Sequence, residues 1–100
     1  MKSEEMQEAA DRAVALLKAL GSRNRLMILC TLAEGERSVG ALAGEMGLRD
    51  TVVSQHLGLL RRDGLVQSRR DGQTIYYALA GDEARRVITT LYDIYCAGAP

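Results

Sequence analysis

Residues 48–77, LRDTVVSQHLGLLRRDGLVQSRRDGQTIYY, leave the chain few ways to fold. From Asp50 to about Arg62, Val53, Leu57 and Leu60 fall on one side of a helix at ~100° per residue and form a buried stripe. Asp63-Gly64 stops that helix. Leu65–Arg70 and Gln73–Leu79 then read as two strands closed by Asp71-Gly72, a dipeptide suited to a type I′ turn with positive φ at both central residues. A helix feeding directly into a tight hairpin needs other elements to cover the stripe.

The flanking sequence supplies them as four further helical segments. Glu4–Leu20 repeats Met6, Ala9, Ala13, Leu16, Leu17 and Leu20 at helical spacing, and Gly21 ends it. Ser22 or Asn24 can cap a second helix through Ala33. Its run LMILCTLA is apolar on nearly every side, which belongs in the middle of a core. Ser38 opens a short third helix to Met46, Gly47 and Leu48 make a turn, and Asp50 starts the fourth helix with its carboxylate near free amides. After the hairpin a last helix begins near Asp82, carries Ala84, Val87, Ile88, Leu91, Ile94 and Tyr95 on its apolar positions, and is ended by Gly98 and Pro100. The fold class is therefore mainly α with a β-hairpin wing: a winged helix-turn-helix of five helices with the hairpin before the last. One hundred residues, 47% hydrophobic and with neither Trp nor Phe, make a single domain, 1–100, whose core is Leu, Val, Ile, Met and Ala. The acidic N-terminus has no apolar signal region and no run reaches membrane-spanning length, so a cytoplasmic protein without membrane contact is expected.

Net charge is zero, but the charges are segregated. Residues 1–11 set Lys2 against Glu4, Glu5, Glu8 and Asp11, whereas residues 49–70 set five arginines against Asp50 and Asp63. On the fourth helix Thr51, Gln55, Gly58 and Arg62 lie opposite the buried stripe, with Val52 and Ser54 on the flanks. Gln pairs bidentately with adenine, and Thr or Val meets a thymine methyl, so this face suits a DNA major groove. It equally suits solvent. Arg61 and Arg62 at the helix end, and Arg69, Arg70 and Gln73 around the turn, add cations and a polar group that reach phosphates or a narrow minor groove, which favours double-stranded DNA as the partner. A winged-helix module that binds only protein is the competing reading. One His, no nucleophile–base arrangement at interpretable spacing and no phosphate loop argue against an enzyme.

The runs VVSQHLGLLRRDGLVQSRRDGQTIYYAL and ALGSRNRLMILCTL resemble the recognition helix, wing and second helix of the ArsR/SmtB family of bacterial winged-helix repressors. The resemblance covers nearly the whole chain. It implies a homodimer packed through the first and last helices, binding an inverted-repeat operator and released by an inducer. Two amphipathic terminal helices on so small a domain agree with such pairing. Where relatives often carry a Ser cap before the recognition helix, this chain has Arg49.

Many members of that family bind metal through a Cys pair at the third helix or through Asp and His on the last. Here Ser38 and Gly40 stand at the first place and the last helix has no His. Zinc takes four ligands, usually several Cys or His, so no metal and no cofactor is expected. The only His, His56, reads instead as bonded to backbone or phosphate. Cys30 and Cys96 remain. By default two such cysteines are inert apolar residues. Their settings, ILCTL and IYC, also resemble the dithiol of the sulfide-responsive branch of the family. That resemblance implies a reversible persulfide or polysulfide bridge, formed by reactive sulfur species as inducer, that lowers DNA affinity. A plain disulfide needs Cα atoms about 4.4–6.8 Å apart and each inserted sulfur adds roughly 2 Å of reach, so a disulfide formed by peroxide or another electrophile stays open as the alternative.

Overall fold

A computed structural model describes residues 2–96. The elements run α1 (Ser3–Leu20), α2 (Arg23–Glu34), β1 (Arg37–Ser38), α3 (Val39–Met46), α4 (Asp50–Arg62), β2 (Val66–Asp71), β3 (Thr74–Leu79) and α5 (Glu83–Tyr95). This is the winged helix-turn-helix expected from the sequence, with one strand more.

Side chains set several of the helix ends. Ser22 Oγ accepts the Arg25 N–H at 3.3 Å and starts α2, which settles the choice between Ser22 and Asn24. Ser38 Oγ accepts the Ala41 N–H at 3.1 Å and starts α3. Arg49, at the N-cap of α4, makes no side-chain cap, so that helix begins with the Asp50 carboxylate in its first turn. Its end is firmer. Gly64 takes φ 77°, the Gly64 N–H donates to the Arg61 carbonyl at 3.0 Å and the Leu65 N–H to the Leu60 carbonyl at 2.9 Å, which is a Schellman motif. It turns the chain straight into β2.

Three sequence expectations change. The hairpin turn is Gly72-Gln73, because Asp71 pairs with Thr74 and extends β2 by a residue. Gly72 has φ 64° and no other residue has positive φ there, so the turn follows the type II′ pattern, with glycine at its first central position, and not type I′. Asp82 precedes α5 but sits in the helical region, where its oxygen does not face the free amides. Its carboxylate lies 4.0 Å from Arg86 instead. The sheet has three antiparallel strands in the order β1-β3-β2, since Arg37 and Ser38 pair with Tyr77 and Tyr76. Two residues are too few to show a period-2 alternation in sequence. Gly98 and Pro100 lie outside the described residues.

Val53, Leu57 and Leu60 are fully buried, as their spacing requires, together with Ile28, Leu29 and Leu32 of α2 and Leu42 of α3. Leu65, Val66 and Leu79 carry the core to the base of the wing, and Ala84 and Ile88 bring in α5. The terminal helices give it little: Ala19 is the one buried residue of α1. Leu17 is 62% exposed and Tyr95 77%. No helix among the described residues is long and apolar enough to cross a membrane.

Candidate functional site

One surface is built by α4 and the hairpin. With Val53, Leu57 and Leu60 turned inward, Thr51, Ser54, Gln55 and Gly58 are exposed along the outer face of α4 and Val52 is half-buried beside them. A Cβ placed on Gly58 would meet nothing within 4 Å, so the middle of this face is open. Arg61 and Arg62 end the helix, exposed, with Arg62 Nε 3.7 Å from Asp63. Arg70 and Gln73 are exposed at the hairpin tip. Among the described residues neither Arg61 nor Arg70 forms an ion pair, so both charges face solvent.

His56 is half-buried, and its Nδ1 is buried with no hydrogen-bond partner among the described residues. The backbone bond read for it from the sequence is therefore not made by this nitrogen. Arg69 also differs from its neighbour. The sequence pairs it with Arg70 as a second free cation of the wing tip, but its Nε and Nη2 donate to the two carboxylate oxygens of Glu36 at 2.8 and 2.6 Å. The guanidinium lies 4.6 Å from the centre of the Tyr76 ring. This hydrogen-bonded pairing holds the Glu36 carboxyl below the usual carboxylate range. Glu36 carries no local signal in the sequence, because its partner is 33 residues away.

A second site lies on the other side of the core. Cys30 on α2 and Cys96 at the C-terminal end of α5 are both free thiols. They line one groove of about 590 Å³ between the two helices, with Leu26, Ile88, Tyr92 and Tyr95 among its walls. Packing explains the approach: Ile88 buries against α2, and the Arg85 guanidinium donates to the Ala33 carbonyl at 3.0 Å near the α2 C-terminus. Cys30 is half-buried and Cys96 exposed. Burial pushes the Cys30 thiol above its ordinary value, and the neighbouring Cys96 and Glu34 push it the same way, since each disfavours a second negative charge. The thiolate form of Cys30 is thus disfavoured, whereas Cys96 is open to solvent. No group of three or more His, Cys, Asp or Glu among the described residues is placed to hold a metal ion.

An inward-packed helix-turn-helix, an outward polar helix face and a basic hairpin define a winged-helix DNA-binding regulator, and sequence comparison makes the assignment particular. The family described as bacterial regulatory protein, arsR family, matches residues 22–68. The transcriptional activator HlyU of Vibrio cholerae is 44% identical over 96% of this chain and 89% of its own length. A biofilm growth-associated repressor of Agrobacterium fabrum is 47% identical over 92% of this chain and 79% of its own. Among solved structures, reduced HlyU from Vibrio cholerae superposes with a TM-score of 0.89 over 93% of this chain and 98% of that one. A homodimeric winged helix-turn-helix DNA-binding domain from Mycobacterium bovis, 35% identical, gives 0.81 over 93% and 86%. The chain belongs to the arsR family of bacterial transcriptional regulators.

Proposed function

We propose that this regulator is a homodimeric repressor whose grip on an inverted-repeat operator is loosened when reactive sulfur species bridge Cys30 and Cys96. One observation carries the reading: two cysteines far apart in sequence line the same groove between α2 and α5, on helices whose remaining apolar surface is exposed. The Agrobacterium relative is a repressor, the Mycobacterium neighbour is homodimeric, and the Vibrio neighbour is the reduced form of its protein, each in keeping with this reading.

Binding uses both halves of the first site. α4 enters the major groove with Gln55 facing adenine, Thr51 and Val52 meeting thymine methyls and Ser54 adapting to either, while His56 stays at the edge of the buried stripe. Arg61, Arg62, Arg70 and Gln73 lie against the backbone on either side. A dimer sets two α4 helices about 34–36 Å apart on successive major grooves, the spacing of an inverted repeat. A bacterial regulator that acts on operator DNA works beside that DNA, and the location that goes with this reading is the cytoplasm.

Release begins at the open thiol. The Cys96 thiolate attacks the central sulfur of a trisulfide RS–S–SR and expels RS⁻. The Cys30 thiolate then attacks the same sulfur and expels the second RS⁻. The product is Cys30–S–S–S–Cys96, and two electrons have passed from the cysteines to the polysulfide. Tying the end of α5 to the middle of α2 repacks the dimer-forming helices and alters the spacing of the two α4 helices.

Mass spectrometry after polysulfide treatment, with fluorescence anisotropy on promoter DNA, tests the scheme. The expected outcome is a Cys30–Cys96 linkage retaining extra sulfur, weakened binding, and loss of the response in Cys30→Ser and Cys96→Ser proteins that still bind DNA. A linkage without extra sulfur, formed equally well by peroxide, replaces the polysulfide with a plain disulfide switch. Separate unmodified thiols alongside release from DNA overturn both.

A further inference from the structure

β1 contributes only two residues to the sheet, too few to hold the wing at a fixed angle through the ladder alone. Side chains reinforce it. In the register of the sheet Arg69 of β2 stands opposite Tyr76 of β3, and Tyr76 stands opposite Ser38 of β1. The Arg69 side chain crosses this row: it lies over the Tyr76 ring and reaches Glu36, two residues before Ser38, with a bidentate fork. One guanidinium therefore ties β2, across Tyr76 of β3, to the residue that leads into β1.

We infer that the Arg69–Glu36 pair, laid over Tyr76, is a staple that sets the angle of the wing against the helix-turn-helix, and that Arg69 is a positioning residue, not a phosphate contact. The planar fork suits this task, because it satisfies both carboxylate oxygens while stacking on the ring, and the point charge of a lysine cannot do both at once. Arg70, the next residue, has no such partner among the described residues and is the cation the wing offers outward. A further anchor lies alongside. Arg37 of β1 is held by Glu45 at 3.3 Å and Glu34 at 3.6 Å, so the strand that receives the staple is itself fixed to α2 and α3. The wing angle matters to the molecule only if the wing meets DNA, so the functional consequence rests on the reading above. The staple itself does not.

Two measurements on the full chain test it. In amide hydrogen exchange, Glu36→Gln, Arg69→Gln and Arg69→Lys should each speed exchange in β1 and β3 several-fold and to the same degree. The Glu36→Gln/Arg69→Gln double variant should add nothing, and the charge-reversed pair Glu36→Arg/Arg69→Glu should restore protection. In DNA titrations at several salt concentrations, the same single variants should weaken binding with an unchanged salt slope, whereas Arg70→Gln lowers the slope by about 0.9, one phosphate contact. The inference is overturned if Arg69→Lys behaves as wild type, if Arg69→Gln lowers the slope as Arg70→Gln does, or if Glu36→Gln tightens binding by freeing Arg69. Failure of the wild-type protein to bind DNA in a salt-dependent way removes the nucleic-acid reading, and the exchange data still decide the staple.

Discussion

Cys30 and Cys96 share a groove but not an environment. The thiolate is the reactive form, and Cys30 is both half-buried and pushed toward the thiol by burial, Cys96 and Glu34. At neutral pH iodoacetamide should therefore label Cys96 well before Cys30, and the difference should narrow as the pH rises through the raised Cys30 value; peptide mapping over time reads this directly. The same shift acts on stability. A thiol pKa raised on folding favours the folded state fully below the ordinary thiol value and loses that contribution as the pH climbs through the raised one. Glu36 behaves oppositely. Its carboxyl is lowered by Arg69, so its contribution is present above the ordinary glutamate value and fades as the pH falls through the lowered one. Exchange protection in β1 and β3 should accordingly decline as the pH falls below the ordinary glutamate value in the wild type, and decline less in Glu36→Gln.

At the scale of the element, one glycine within α4 and one just past its end have opposite consequences. Gly58 sits mid-helix on the open outer face, where an added Cβ meets nothing within 4 Å. Alanine there should stabilise the free protein by about 0.5–1 kcal/mol in urea unfolding, since glycine is a poor helix former. Gly64 ends the helix at φ 77°, a left-handed conformation that costs other residues roughly 1–2 kcal/mol, so Gly64→Ala should destabilise by about that much. Because the Schellman bonds of Gly64 and Leu65 also aim β2, part of the loss should appear as faster exchange in the wing. On the inner face, Leu57→Ala should cost about 2–5 kcal/mol, the range for a fully buried leucine that leaves a cavity.

For the whole molecule most of the exposed large apolar side chains belong to the terminal helices. Leu17 and Val14 of α1 and Tyr92, Ile94 and Tyr95 of α5 are exposed, and a second groove of about 750 Å³ runs between α1 and α5. In the proposed homodimer a partner copy would cover these faces, and helices that give their own core little are what such pairing requires. Leu17→Glu should then shift sedimentation toward a monomer and lower operator affinity, because two linked half-sites become independent ones. The melting temperature of the wild type should rise with protein concentration, and that of Leu17→Glu should not.

The helices and the α4 stripe were legible in the sequence, because capping and helical periodicity act over a few residues. Val53, Leu57 and Leu60 needed only their own spacing to be placed inward, and Ser22 and Ser38 needed only the amides three residues on. Asp71-Gly72 shows where local signals stop: the dipeptide marked the hairpin, but the cross-strand pairing of Asp71 with Thr74 chose which two residues turn. Tertiary structure alone decided the rest. It brought Arg37 and Ser38 to the edge of the sheet, paired Arg69 with Glu36, and set Cys30 and Cys96 on one groove. Each of these joins residues whose partners are distant in the chain, and only the packing of α2, α5 and the wing around one core determines which of them meet.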